Sequence, residues 1–472
     1  MIDRPSWRQG AVLVLPSALF LVLYAFHAPD AVLIHPDSEG YLTFSGGRSG
    51  GYPAFLALLK PFTRDVADYA VAQRLLYSLA VLVLGYELLR SFGSLAIALV
   101  AEVALLFNPE VNRYHFSILT ESLYLSTSAL FLAAALAYLR TGRLRSFAIA
   151  SALAAYAAIV RPTGLVLLPL LAILLLAGPH LPWRQIWKFI LVAVGPVIVI
   201  LSLESIYYRE HHAGPRVSLA PIHLLAKAGM VEAANPETII SAAHPDTRPL
   251  QRALEVSLAP VRSLIAEAPN QGARCKLILN YEVFVQYQFA PEERAIATAR
   301  GSPKLLIDVA LARLQNAVGG YIRLTSDHLQ CLWSLGAATK QEQAEFAAYL
   351  ESRRPLPFEK TILAALAGSR SPPVATAVLI VMYSIAVFLL TAGIVLIGVL
   401  IRRRRPSLEL AAAGFTGLIV HGSLLFTALT GVGVPRYVLG LWVPIAIGVG
   451  MSALWIIGSL GFWRAGQTGT LK

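Results

Sequence analysis

Residues 374–400 read VATAVLIVMYSIAVFLLTAGIVLIGVL, a stretch of 27 residues without a charged side chain. At ~1.5 Å per residue, a helix of this length crosses the ~30 Å hydrocarbon core of a bilayer. Similar apolar blocks recur along the 472-residue chain, which is 56% hydrophobic and only 14% charged. Because soluble domains carry about 25% charged residues, the composition excludes a single soluble domain and a disordered chain. The blocks do not alternate, so a porin-type barrel is also excluded.

The apolar blocks predict ten membrane-spanning helices with both chain ends on the same side. The predicted spans lie near residues 11–29, 70–89, 93–107, 121–139, 147–160, 164–178, 189–205, 374–400, 409–430 and 437–460. Lys and Arg concentrate in the short connections on the side of the chain ends, as in Arg402–Arg405, which is typical of cytoplasmic loops. We therefore expect a multi-pass protein of the bacterial inner (plasma) membrane with cytoplasmic N and C termini. A cleaved signal peptide is the alternative interpretation of the first block.

The spacing of the spans divides the chain into three parts. Residues 1–205 form an N-terminal membrane module whose first outer loop is 31–69, and residues 374–472 form the C-terminal membrane helices. The long segment 206–373 predicts an extracytoplasmic helical domain between helices 7 and 8, with helical patterns at 247–268, 304–318 and 341–351. The predicted fold class is thus an all-α polytopic membrane protein with a helical domain outside the membrane.

The chain has two cysteines, Cys275 and Cys331, and both fall in the predicted outer domain. In an oxidising compartment such a pair predicts one disulfide. Two free buried thiols are the alternative interpretation, since the sequence does not show that the two residues approach each other.

Acidic and arginine residues concentrate in four outer connections, at the predicted ends of the membrane helices. The motifs are His35-Pro36-Asp37-Ser38-Glu39-Gly40-Tyr41, followed by Arg48-Ser49-Gly50-Gly51-Tyr52-Pro53-Ala54-Phe55-Leu56; Thr120-Glu121-Ser122; Arg161-Pro162-Thr163-Gly164; and Pro435-Arg436-Tyr437. A carboxylate at this depth can act as general base on an acceptor hydroxyl. Arginines can hold a lipid-linked phosphate and stabilise its charge as it leaves. The pattern therefore indicates sugar transfer from a polyprenyl-phosphate donor.

The pattern Pro-Asp-Ser-x-x-Tyr, followed by Arg-x-Gly-Gly-Tyr-Pro-x-Phe-Leu, resembles the GT-C superfamily of integral-membrane glycosyltransferases. It is most similar to the branch of protein O-mannosyltransferases and the lipid A aminoarabinose transferase, over residues 10–205 and more weakly 409–445. The resemblance implies an inverting transfer in which an acid of the first outer loop, Asp37, is catalytic. Glu39 is a second catalytic candidate. Many members of the family carry two adjacent acids in this loop, whereas here Ser38 separates Asp37 from Glu39.

The expected donor-binding residues are Arg48, Glu121, Arg161, Arg436 and Tyr437. The expected partners are a polyprenyl-phosphate sugar donor, a lipid, glycan or protein acceptor, and membrane lipids. Nucleic acid is not expected, since the net charge of +12 is spread over the connections. We expect no cofactor or metal; the alternative is a divalent cation held through carboxylate oxygens.

Each candidate also has a purely structural interpretation. Asp37 could cap the next helix, Glu121 could complement a helix dipole, and Arg48 could anchor to lipid headgroups by snorkelling. Three other functions remain open: a membrane transporter or lipid flippase, a non-catalytic subunit, and a ligase that uses diphosphate-linked glycans. The His211-His212 pair is interpreted as a solvated loop pair, not a metal site, because no spaced ligand partner accompanies it.

Overall fold

The computed structural model describes residues 5–29, 31–179, 183–213, 220–231, 245–284, 303–333, 372–430 and 436–459. Within these ranges the regular structure is helical, and the β-type contacts are two isolated bridges. The predicted all-α fold class is therefore confirmed for the described residues.

Nineteen α-helices are described, numbered here in chain order. They are α1 (Trp7–Phe26), α2 (Ser38–Leu42), α3 (Gly51–Leu59), α4 (Val66–Phe92), α5 (Leu95–Leu106), α6 (Pro109–His115), α7 (Thr120–Thr141), α8 (Leu144–Val160), α9 (Leu167–Ala177), α10 (Trp183–His211), α11 (Ala220–Met230), α12 (Arg248–Ala266), α13 (Gln271–Phe284), α14 (Pro303–Asn316), α15 (Val318–Trp333), α16 (Pro372–Ile401), α17 (Leu408–Thr430), α18 (Arg436–Leu439) and α19 (Trp442–Ser459).

Seven of these helices are long and apolar enough to cross a membrane: α1, α4, α7, α10, α16, α17 and α19. An eighth crossing results if α5 and α6, which meet at an angle of 63°, form one broken span. Asn108 caps α6 and Pro109 opens it, so the chain bends where a proline cannot continue the preceding helix. Two further spans were expected near 147–160 and 164–178, and the apolar helical segments found there, Leu144–Val160 and Pro162–Ala177, are shorter than the seven long helices.

Local sequence signals set the ends of the long helices. Asp65 caps α4 by accepting hydrogen bonds from the backbone N–H groups of Ala67 and Asp68. Gly93 follows α4 and Gly142 follows α7, with φ of 68° and 65°. A residue with a side chain is strained in this left-handed conformation, so glycine is the favoured stop.

Helix α7 lies at the centre of the bundle, where it packs against α4 and α8. Its Ala, Ser and Thr residues are small enough for neighbouring backbones to approach closely. The first turn of α7 carries Glu121, so one of the predicted site residues begins the central helix.

A buried carboxyl group lies between α5 and α4. Glu102 is fully buried, and neither of its carboxyl oxygens has a hydrogen-bond partner among the described residues. The carboxyl group occupies the space that a side chain at Gly85 would need. Gly85 is therefore required for the close packing of these two helices.

Replacing Gly85 with alanine is expected to destabilise the bundle by about 1–3 kcal/mol, because the added methyl group collides with the Glu102 carboxyl. Thermal unfolding of the purified chain measures the effect. A second change, Glu102→Ala, removes the colliding group and is expected to restore part of the loss. Additive effects of the two changes would contradict this packing relation.

Helices α11 to α15 pack around a second hydrophobic core that includes Leu254, Leu258, Ile278 and Val309. The patterns expected at 247–268 and 304–318 correspond to α12 and α14, whereas α11, α13 and α15 were not predicted. The third pattern, 341–351, lies outside the described residues. The predicted domain boundaries stay predictions.

A disulfide ties the second core together, and α15 connects this core to a helix of membrane-spanning length. The structure joins Cys275 of α13 to Cys331 of α15 in a disulfide. The Tyr321 hydroxyl of α15 donates a hydrogen bond to the Leu429 carbonyl of α17 over 2.9 Å. Since Leu429 is the penultimate residue of a helix of membrane-spanning length, α15 lies close to the end of that helix.

Candidate functional site

The segment after α1 docks on the segment before α7 through backbone hydrogen bonds. The Leu33 N–H donates to the Phe116 carbonyl over 2.9 Å, and the Ile118 N–H donates to the Leu33 carbonyl over 3.3 Å. The Ser38 hydroxyl also donates to the Ile118 carbonyl over 2.9 Å. These contacts place Asp37 near the first turn of α7. We call this region, formed by residues 31–50, 107–121 and 161–166, the loop end of the bundle.

The first charged pair of the loop end joins Asp37 and Arg48, with 2.7 Å between Oδ1 and Nη2. About a quarter of each side chain is exposed. Asp37 precedes α2 but makes no side-chain capping bond to it. The structure therefore does not support the alternative interpretation in which Asp37 caps α2. The Arg48 guanidinium also lies 4.9 Å from the centre of the Tyr41 ring, a cation–π contact.

The second pair joins Glu121 of α7 to Arg161, which follows α8, with 2.9 Å between Oε1 and Nη1. Both side chains are buried, with exposed fractions of 3% and 7%. The Thr120 hydroxyl donates a hydrogen bond to the other carboxylate oxygen. On its other side, Arg161 lies 4.8 Å from the centre of the Tyr437 ring. Three predicted site residues are thus in direct contact.

The turn after α8 fixes the position of Arg161. The Arg161 N–H still donates to the Ala157 carbonyl, and Pro162 then turns the chain into a short 3₁₀ helix. The backbone of Gly164 lies against the backbone of Ala157, where a side chain would not fit. A similar close approach occurs at Gly51, where a Cβ atom would lie 2.6 Å from the Ile159 carbonyl oxygen. These glycines hold α3 and the turn against the end of α8.

Tyr41 lies between the two charged pairs. The charges of Arg48, Glu121, Asp37 and Arg161 all act on its phenol group. Its ring meets Tyr52 edge-on, with 5.2 Å between the ring centres. Tyr52 in turn donates a hydrogen bond to Gln73 Oε1 over 2.8 Å. The three segments of the loop end therefore converge on one aromatic side chain.

Burial raises the pKa of Tyr41, and the Arg48 guanidinium opposes this rise. The phenol is therefore neutral at pH 7, and it can donate a hydrogen bond to a ligand between the pairs. The neutral form is favoured more in the folded chain than in the unfolded chain. The corresponding stability is present below about pH 10, the ordinary phenol pKa, and is lost as the pH rises above it.

Replacing Tyr41 with phenylalanine is expected to reduce the loss of stability above pH 10, because phenylalanine does not titrate. The pH dependence of thermal unfolding between pH 8 and pH 11 measures this change. Tyr52→Phe is a comparison, since burial also raises the pKa of Tyr52. An unchanged alkaline profile for Tyr41→Phe would mean that the phenol ionises freely in the folded chain.

Of the predicted residues, Glu39 makes none of these contacts. Glu39 is exposed, and its side chain makes no ion pair with another described residue. It is the second residue of α2, and Arg48 pairs with Asp37. The side chain of Arg436 lies outside the described residues. His211 and His212 stack on Tyr207 and Tyr208 at the end of α10.

Sequence reasoning missed three contributors to the site. Tyr41 and Tyr52 lie inside the quoted motifs, so their position in the motif was the available signal. The third is Glu204 of α10, whose carboxylate accepts a hydrogen bond from the Gly50 N–H over 3.2 Å. No sequence signal distinguished Glu204 from the other polar residues near helix ends.

Comparison with protein-family models, with curated protein sequences and with solved structures gave no match. Within the described ranges, no group of three His, Cys, Asp or Glu side chains could hold a metal ion. The two ion pairs and the residues around them are therefore the features of the described residues that point to a function.

Proposed function

We propose that this chain is a membrane glycosyltransferase of the GT-C type, which moves a sugar from a polyprenyl-phosphate donor to an extracytoplasmic acceptor. One observation carries the proposal: two arginine–carboxylate pairs from separate connections surround Tyr41 at one end of a bundle of membrane-length helices. In the proposed layout there are ten spans. The loop end and helices α11 to α15 face the outside of the inner membrane, and the chain ends face the cytoplasm.

Arg161 is proposed to bind the donor phosphate, with Arg48 and Arg436 as further cationic groups. A guanidinium has five N–H donors in a rigid plane. Arg161 can therefore keep its contact with Glu121 and still bind phosphate oxygens. Because the side chain is buried, the attraction is stronger than it would be in water. Glu121 is the group that holds Arg161 in position, and Tyr437 packs against the same guanidinium.

In the proposed reaction, the acceptor hydroxyl attacks the anomeric carbon of the sugar. The bond between this carbon and the phosphate oxygen breaks, and its electron pair leaves with the polyprenyl phosphate. Asp37 accepts the hydroxyl proton, and Arg161 stabilises the charge of the departing phosphate. Attack opposite the leaving group inverts the anomeric centre, as the GT-C resemblance implies.

Replacing Asp37 with asparagine is expected to lower transfer by about 10²–10⁴-fold, because the amide cannot accept the proton. The measurement is transfer of labelled sugar from polyprenyl-phosphate donors to extracted envelope fractions, by the purified chain in lipid nanodiscs. Glu39→Gln is the matched control in the same short helix, and it is expected to keep most of the activity. Full transfer by the Asp37 variant, or transfer from diphosphate donors only, would refute the proposed chemistry.

A second candidate function, transport or lipid flipping, is favoured by Glu102. Its carboxyl group is fully buried inside the bundle and has no hydrogen-bond partner among the described residues. An ionisable group within a membrane segment often marks a transport pathway. Movement of substrate across proteoliposomes that is lost in Glu102→Gln, with no sugar transfer by the wild type, would favour this function.

A further inference from the structure

A cavity of about 650 Å³ opens between α12, α13 and α15, in the outer helices and apart from the loop end. Its wall includes Arg262, Arg274 and Arg323, with Asp327 as the acidic residue among them. The volume is within the range of small-molecule sites, about 300–1,000 Å³. The cavity is therefore large enough for a phosphate group together with the moiety that carries it.

Two of the three arginines are held in place by carboxylates. Arg262 is paired with Glu255, and it also donates to the Gly229 carbonyl over 2.9 Å. Arg274 donates to Asp327 Oδ2 over 2.6 Å. These contacts restrict both guanidinium groups before any ligand arrives, which lowers the entropy lost on binding.

The same wall still has unused donors. Arg323 is exposed and forms no ion pair with another residue in the described ranges. The Nε atom of Arg274 is buried, and no described group accepts its hydrogen bond. A buried donor without an acceptor is unfavourable unless water or a ligand supplies one. The site therefore offers positive charge and free N–H groups to an oxygen-rich anion.

The cavity also lies close to the membrane surface. Tyr321, two residues before Arg323 on α15, donates to the carbonyl of Leu429 at the end of α17. Because α17 has membrane-spanning length, its end lies at the level of lipid headgroups. Anionic phosphate esters are concentrated at this depth.

We propose that the cavity lined by Arg262, Arg274 and Arg323 binds a phosphate ester at the membrane surface. The guanidinium groups bind the phosphate oxygens, and the rest of the cavity holds the attached glycerol or sugar. The phosphate can belong to a lipid headgroup or to a soluble phosphate ester. This inference is independent of the transferase proposal, since none of these residues belongs to the loop end.

The experiment has two arms and uses the full-length chain. In the first, native mass spectrometry counts the phosphatidylglycerol and phosphatidylcholine molecules that stay bound when both lipids are supplied equally. In the second, calorimetry measures the binding of glycerol 3-phosphate and of inorganic phosphate. Arg323→Gln is expected to weaken binding about tenfold in the arm that matches the natural source. If Arg323→Gln weakens binding of phosphatidylglycerol, the natural source of the phosphate is a lipid; if it weakens binding of glycerol 3-phosphate, the source is a soluble ester.

Two further variants distinguish specific binding in the cavity from non-specific attraction of an anion to the positive charge of α11 to α15. Arg252→Gln removes the same charge from an exposed position of α12 that does not line the cavity, and binding should stay unchanged. Asp327→Asn removes the acidic charge among the three arginines, and this gain in positive charge is expected to outweigh the lost positioning of Arg274, so binding should become several-fold tighter. Equal effects of Arg323→Gln and Arg252→Gln, or no binding to the wild type in either arm, would overturn the proposal.

Discussion

Replacing Arg161 with alanine is expected to destabilise the folded chain by about 3–5 kcal/mol, because it leaves the Glu121 carboxylate buried without its cation. The same change removes the proposed phosphate contact, so sugar transfer should fall by about 10²–10³-fold even where the chain is folded. Equilibrium unfolding in mixed micelles measures the first effect. The transfer assay, corrected for the folded fraction, measures the second.

A double variant separates stability from function at this pair. Arg161→Met together with Glu121→Gln removes both buried charges while keeping similar volumes, and it is expected to recover most of the lost stability. Transfer should stay low, because the cation that faces the phosphate is still missing. A coupling energy below about 1 kcal/mol between the two positions would contradict a buried ion pair. Full activity of the double variant would remove Arg161 from the proposed mechanism.

The general location of the candidate site could be predicted because it follows from connectivity. When membrane helices alternate in direction, every second connection lies at the same end, so Asp37, Glu121 and Arg161 were expected to share one end. The partner of each charge was not predictable. The pairing depends on how residues 31–40 dock on residues 116–119, and this docking uses mainly backbone groups that are present in any sequence. For the same reason, the central position of Tyr41 was visible only in the structure.

Among the helices, too, those set by their own length and composition were predicted, whereas a helix that depends on packing against other helices was not. Long apolar blocks such as α16 were predicted because their length and composition leave no other stable arrangement in a membrane. The end of α5 was predicted, since the expected span 93–107 stops before the turn signal Asn108-Pro109, whereas the short helix α6 after this turn was not. Helix α15 was missed because its first turn contains Gly319 and Gly320, which are poor helix formers. Packing against α13 and α17 stabilises α15 despite these glycines.

Removing the disulfide with the double change Cys275→Ala and Cys331→Ala is expected to destabilise α11 to α15 by about 4 kcal/mol. The bond joins residues 56 positions apart. In the chain-entropy model, closing a loop of this length removes freedom from the unfolded state and thereby stabilises the folded state. Both cysteines are fully buried, and the loss of sulfur contacts in the core adds to the effect. Denaturant unfolding, followed by limited proteolysis of α11 to α15, measures the change.

The control compares the double variant with the wild type in the presence of a reductant. Because both sulfurs are buried in the folded chain, reduction should occur only when the packing of α11 to α15 opens. Once reduced, the wild type should unfold at nearly the same denaturant concentration as the variant. The helices of membrane-spanning length pack around a different hydrophobic core, which α15 joins only through its last turn at Leu332 and Trp333, so their protection from protease should change little. A variant with wild-type stability, or with loss of protection spread over α4 and α7, would show that the bond does not stabilise α11 to α15 as a unit.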